Sequence, residues 1–309
     1  MSVKDKKGLN ILIISFDDKH KNLLTLRRKL DKLSKHPSKP FIYHISVGKS
    51  DCHLYINQIL VEKEEIGVKD GKTQYLSEYD SYVKRVSNVN RLFNIIIYYG
   101  HSGGANIGRW GRKPDMVIAD FINPLRNHGL YAGLFVYESC YMGTVIPFIE
   151  TYDIAMYTIG ASGPYWSRSL LAYSEFLTIL ENNDEIGMQD WLNMYYKKYT
   201  PDYHCYIIIR NKYVLRLMNY VSKIDFRELK KSDFTFTKFD EDKNYYDMSK
   251  IFNTKEFSDF LSKLIVYGEK CKLYIEKRGY EQYENEFKKN RYYQILSEES
   301  KEVYRTNLL

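Results

Sequence analysis

Two short, almost uninterrupted apolar runs constrain this chain more than any other feature. Asn94 to Tyr99 leads into Gly100-His101-Ser102-Gly103-Gly104, and Leu134 to Tyr137 leads into Glu138-Ser139-Cys140-Tyr141-Met142-Gly143. Runs this apolar and this brief read as strands buried on both faces, the kind that parallel sheets use. Between them, a segment from Met116 puts Ile118, Phe121, Ile122 and Leu125 on one helical face, with Asp115 as a candidate N-cap. Pro124 predicts a kink or break, and Gly129 a stop. Strand, helix, strand is a βαβ unit, so the two strands should be parallel with a right-handed connection. Their carboxyl ends then share one edge of the sheet, about 4.8 Å apart if they are neighbours. Ligands of open α/β sheets bind beyond that edge, and each strand delivers a reactive residue there: His101 and Cys140.

The rest of the chain supports an α/β class. Leu9 to Phe16 reads as a first buried strand ending at Asp17-Asp18, followed by a helix over 20–35 striped by Leu23, Leu24, Leu26, Leu30 and Leu33. Phe41 to Ser46 reads as a strand, and Leu54 to Val61 as a strand or hairpin arm. A helix is predicted from Ser77, its N-cap, to Arg91. Beyond Cys140 come a strand over Ile154–Ile159, helices over 168–181 and 189–198, a strand over Tyr206–Ile209 and a helix to about Lys223. A soft boundary near Phe226 separates residues 8–225, the main domain, from a polar, mostly helical extension over 226–309.

Composition narrows the function classes. The 309 residues are 44% apolar, enough for a real core. Lys and Arg number 46 against 39 Asp and Glu, and the signs are interleaved, so the net charge of +7 describes a mixed surface rather than a nucleic-acid footprint. The four cysteines, at 52, 140, 205 and 271, form no CxxC pair, so neither a disulfide framework nor a zinc motif is indicated, and a reducing compartment fits best. Cys52-His53 and His204-Cys205 are neighbours in sequence and poor joint metal ligands on a strand. The run Ile11 to Ile14 is too short for a signal peptide, and no run reaches transmembrane length. The expectations are a cytoplasmic chain, no membrane partner and no nucleic acid.

Most lone cysteines are inert core. Cys140 differs in standing at a strand end, three residues before Gly143 and two after Glu138. A carboxylate beside a cysteine makes a poor core but a sensible pocket for a cationic group next to a nucleophile. That acid disfavours the thiolate, so an imidazole or another donor must offset it. His101 lies among glycines that let a ligand approach the backbone. His128, the rival histidine, precedes a helix-ending glycine, where a structural role suffices. A histidine and a cysteine on neighbouring strand ends point to nucleophilic cysteine catalysis.

These two motifs resemble those of the caspase-like (clan CD) cysteine peptidases, and most of all the clostripain family. That family's motifs run roughly Trp-Asp/Asn-His-Gly-Gly-Gly and Asp-Ala-Cys-Leu-Met-Gly; here they read Tyr99-Gly100-His101-Ser102-Gly103-Gly104 and Glu138-Ser139-Cys140-Tyr141-Met142-Gly143. Asp17-Asp18, Val221-Ser222-Lys223 and Tyr246-Asp247-Met248 are similar to further family segments. The resemblance implies a caspase-like three-layer α/β/α sandwich with a mostly parallel central sheet. It implies a cysteine endopeptidase with Cys140 as nucleophile, His101 as acid–base and N–H groups near Ser102, Gly103 and Cys140 for the oxyanion. It implies Glu138, Ser162 and Gly163 as substrate-binding residues and protein or peptide as substrate. The chemistry requires no cofactor; some relatives use calcium, but the sequence has no EF-hand-like loop, so no metal site is expected. Relatives are often processed between the two motifs, which here makes Arg109 and Arg112 candidate self-cleavage sites, with an ordinary solvated basic turn as the alternative. Two departures bear on function. Ser102 replaces a glycine, and Ala161-Ser162-Gly163-Pro164 lacks the family's pocket acids, leaving Glu138 to select Arg or Lys. The alternatives are an inactive peptidase-fold binding module and a legumain-like peptidase of other specificity, since that group carries Glu-Ala-Cys.

Overall fold

The computed structural model describes residues 9–16, 26, 28, 30–31, 34–35, 40–48, 51–65, 73–104, 106–108, 116–161, 206–225, 228–229, 234–235, 245–267 and 273–276. The sheet begins with β1 (Asn10–Phe16), β2 (Phe41–Val47), β3 (Asp51–Ile56) and β4 (Ile59–Glu65). Helix α1 (Thr73–Val89) leads to β5 (Leu92–Gly100). The two-residue strands β6 (Asn106–Ile107) and β7 (Met116–Val117) precede α2 (Ile118–Asn127) and β8 (Tyr131–Glu138). Then come α3 (Val145–Thr151), β9 (Ala155–Ala161), β10 (Tyr206–Arg210) and α4 (Val214–Val221). The described remainder holds β11 (Phe234–Thr235), β12 (Tyr245–Asp247), α5 (Met248–Ile251), α6 (Lys255–Leu264), β13 (Ile265–Tyr267) and β14 (Tyr274–Glu276).

One nine-stranded sheet organises the molecule, in the order β13-β10-β9-β8-β5-β1-β2-β3-β4. Its five middle strands, from β9 to β2, are parallel, and each flank adds antiparallel strands. The parallel core follows from the sequence, because every residue from Ile95 to Tyr99 and from Leu134 to Glu138 is buried. Side chains alternate between two cores. Leu12, Ile96, Tyr98, Phe135 and Tyr137 face α1 and α2, packing on Tyr79, Tyr82, Phe121 and Ile122. Ile11, Ile13, Ile97, Leu134 and Val136 point the other way, where Leu26 and Leu30 pack on them. The result is the expected mixed α/β sandwich: a large sheet, mostly parallel at its centre, flanked by helices.

Several local expectations need correction. Ser77 is not an N-cap; α1 starts four residues earlier, at Thr73, and carries Ser77 inside it. Met116 does not open a helix, because Met116–Val117 pairs with Asn106–Ile107 and α2 begins at Ile118. Pro124 sits within α2 without ending it. The carbonyl that loses its helical donor belongs to Asp120, which is exposed. Leu54–Val61 is the tip of a hairpin, turned by Asn57 and Gln58 with positive φ. Asp17, Asp18, Asp115 and the helices expected over 168–181 and 189–198 lie outside the described residues.

The described part of 226–309 packs on the main domain and adds a strand to its sheet. Strand β13 pairs with β10 at the sheet edge. Phe257, Phe260 and Ile275 share a core with Val145, Phe148 and Ile207. Helix α6 contributes Phe257, Phe260 and Leu264 to this core, alongside Ile207 and Ile209 of β10. No helix among the described residues is long and apolar enough to cross a membrane.

Candidate active site

Strands β5 and β8 are immediate neighbours and parallel, with Tyr99 directly opposite Glu138. Both chains leave the sheet at its carboxyl edge within two residues of this pair. His101 is the first residue past β5, and Cys140 the second past β8. Since β8 stops at Glu138, Cys140 stands in a turn, and strand alternation alone does not fix its direction. The expected side-by-side delivery of the two loops is what the sheet produces.

The His101 loop is pinned from below. Tyr98 points into the core against Phe121, ring centroids 5.0 Å apart. Its hydroxyl donates to the His101 carbonyl at 2.7 Å and accepts from the Gly108 N–H at 2.9 Å. The Gly103 N–H donates to the Asn106 carbonyl at 2.9 Å, and Ser102 bridges to Ile107. That turn engages the Gly103 N–H, and the Ser102 and Cys140 N–H groups are the other donors expected at the oxyanion.

The Cys140 loop is fixed by its neighbours. Tyr141 takes φ of 57°, the left-handed region that lets the chain double back. The Thr144 hydroxyl donates to the Tyr141 carbonyl at 3.1 Å. The Gly143 N–H donates to the Ala161 carbonyl on β9 at 2.7 Å. Ser139 and Ser102 meet between the two loops, their Oγ atoms 2.5 Å apart.

Glu138 is only 2% exposed. It shares its side of the sheet with Tyr99, Val136 and Leu134, and the polar character continues along one register row. Tyr99 lies opposite Ser15, Ser15 opposite Ser46, and Ser46 opposite His53. Buried His44 stands beside this row, with its Nε2 2.8 Å from Ser15 Oγ. A row of polar side chains across five strands at the carboxyl edge marks where the apolar core ends and the site begins. His128 is elsewhere, with its Nε2 3.0 Å from Asp80 Oδ1 between α1 and α2, as its structural reading expects. Among the described residues, no group of three metal-ligating side chains gathers. Ser162, Gly163, Arg109 and Arg112 lie outside the described residues.

No protein-family model matches the chain, and no curated protein sequence is similar enough to match. Solved structures do match. An inactive zymogen C11 protease from Parabacteroides distasonis superposes with a TM-score of 0.60, covering 94% of this chain and 99% of its own at 11% identity. A secreted C11 cysteine protease from Bacteroides thetaiotaomicron, bound to an irreversible peptide inhibitor, gives 0.58, with 87% and 85% covered at 14% identity. A second structure of a secreted C11 protease from that organism gives 0.53 at 14% identity. The chain has the C11 protease fold. Such identities speak for architecture, so the chemistry of this C11 fold must be argued from its own residues.

Sequence reasoning missed three residues that shape this candidate site. Tyr98 had a signal: a phenol among buried isoleucines needs a partner for its hydroxyl. Gly160 had a weaker one, since a glycine inside a strand often marks a close backbone approach. Ser139 had none, because only the folded chain brings it to Ser102.

Proposed function

We propose that this protein is a cysteine endopeptidase using Cys140 and His101. The observation that carries the reading is the departure of both residues from adjacent parallel strands at one sheet edge. Cys140 Sγ attacks the scissile carbonyl carbon, forming a thioester as the peptide C–N bond breaks. His101 takes the Cys140 thiol proton and delivers it to the leaving amine, then takes one from the water that hydrolyses the thioester and returns it to the released Cys140 thiolate. N–H groups of Ser102 and Cys140 receive the oxyanion. Glu138 forms the floor of the pocket for the side chain before the cleaved bond. Its near-complete burial favours an Arg or Lys partner, because a buried carboxylate gains most from a fixed cation.

A fluorogenic peptide library varied at the position before the cut, run beside Cys140→Ala and His101→Ala, tests the reading. Cleavage lost in both variants while the fold persists supports it; cleavage retained in either removes that residue from the chemistry. A preference for Asn would move the protein to the legumain-like alternative, and no cleavage at all to the binding-module one. Self-cleavage after Arg109 or Arg112 is a further part of the proposal, checked by intact mass of wild type beside Cys140→Ala. A cytoplasmic location is likewise proposed, from the cysteine pattern, and cell fractionation tests it.

A further inference from the structure

The two loops of the site are joined by side chains that peptidase chemistry does not itself require. Ser139, on the Cys140 side, donates its hydroxyl to the Gly100 carbonyl at 2.7 Å, just before His101. Ser102, on the His101 side, donates to the Cys140 carbonyl. The two Oγ atoms lie 2.5 Å apart. Each serine therefore reaches across and holds the backbone of the opposite loop. Ser139 is 1% exposed and Ser102 half-buried, so water competes weakly for these contacts. Two hydroxyl protons serve three oxygen–oxygen contacts: with both donated to carbonyls, the two Oγ atoms meet with no proton between them, so the position of each hydroxyl depends on the other. In the motifs this chain resembles, the two positions hold glycine and alanine. Two of the departures from those motifs, one in each, are side chains that touch.

We infer that the Ser102–Ser139 pair positions the His101 loop against the Cys140 loop, setting the separation and angle of imidazole and thiol. The inference rests on the dyad reading above. The two serine hydroxyls are positioning groups: they hold backbone, while the imidazole and thiol do the chemistry and the Ser102 N–H keeps its separate place at the oxyanion. Small displacements matter at such a site, since a misplacement of about 1 Å can cost on the order of 100-fold in rate.

The test compares wild type, Ser102→Ala, Ser139→Ala, the double variant, Ser102→Thr and His101→Ala. Two readouts are taken: kcat and KM on a peptide that wild type cleaves, and the pH profile of Cys140 alkylation by iodoacetamide, located by peptide mapping. Each alanine variant should lose about tenfold in kcat with KM nearly unchanged. The double variant should fall no further than the worse single one, because both remove one shared clasp. The alkylation profile of each should move toward that of His101→Ala, and Ser102→Thr, which keeps a hydroxyl, should retain the wild-type profile. Thermal melts establish that each variant is folded; should Ser139→Ala not fold, the Ser102→Ala and Ser102→Thr comparison decides alone. Folded variants with wild-type kcat and profile, or losses that multiply in the double variant, overturn the inference. A wild-type profile that His101→Ala leaves unchanged overturns the dyad reading instead, and the inference falls with it.

Discussion

Gly160 lies directly against the Met142 carbonyl. A Cβ at Gly160 would come within 2.4 Å of Met142 O and 2.7 Å of Gly143 N, both backbone atoms that cannot swing aside. Strand β9 thus touches the Cys140 loop through a gap the size of a missing methyl group. Gly160→Ala should push that loop outward, costing about 1–3 kcal/mol of stability and most of the peptidase activity. Thermal unfolding and peptide hydrolysis check both. A variant as stable and active as wild type would mean the loop has room to spare.

Tyr98→Phe keeps the ring packed on Phe121 but removes the hydroxyl that serves His101 and Gly108. The buried Gly108 N–H then loses its acceptor. The expected cost is about 1–3 kcal/mol in urea unfolding, together with a lower kcat from a looser His101 loop. Unchanged kcat would show that the loop is held without Tyr98.

Glu138→Gln is nearly isosteric and removes the charge assigned to the specificity pocket. The preference for Arg or Lys over uncharged residues should fall by about tenfold or more in kcat/KM, since a charge-assisted contact is about twice as strong as a neutral one. Competition between basic and neutral peptides measures it. A preference that survives intact would place the cation's partner elsewhere.

Asn211 ties three elements together away from the site. Its Nδ2 donates to the carbonyls of Thr151 and Ala155 at 3.1 and 2.8 Å, and its Oδ1 accepts from the Thr158 hydroxyl at 3.0 Å. Asn211→Ala strands these buried groups and should cost about 2–4 kcal/mol, within the range for broken buried networks. KM should stay near wild type, because the network lies behind β9. Denaturant titration and steady-state kinetics separate the two effects.

Cys52 is a buried thiol whose pKa is pushed far up, first by burial and then by the nearby Glu78 and Glu64 carboxylates. The folded state therefore holds its proton where the unfolded state releases it. This group's contribution to stability is full below the ordinary thiol value of 9.0 and declines as pH rises above it. Iodoacetamide at neutral pH should modify the half-buried Cys140 and leave Cys52 intact until the protein unfolds. Mass mapping of the native protein reads this directly, and prompt labelling of Cys52 would contradict its burial.

The sequence by itself determined the parallel core and the address of the candidate site. Apolar runs such as Ile95–Tyr99 and Leu134–Tyr137 have one stable use, burial on both faces, and the helical stripe between them forces a crossover that puts both carboxyl ends on one edge. Residue pattern is local, so it could name His101, Cys140 and Glu138 without the contacts between their loops. Tertiary structure decided those contacts. The short β6–β7 pairing displaced the expected start of α2, and the turn to Asn106 engaged Gly103. The β13–β10 pairing drew Ile265–Tyr267 into the sheet, and the closeness of β5 and β8 brought Ser102 to Ser139. The physical reason is the same in each case. These are hydrogen bonds and packing contacts between segments far apart in the chain, and neither partner carries a mark of the other until the sheet has brought them together.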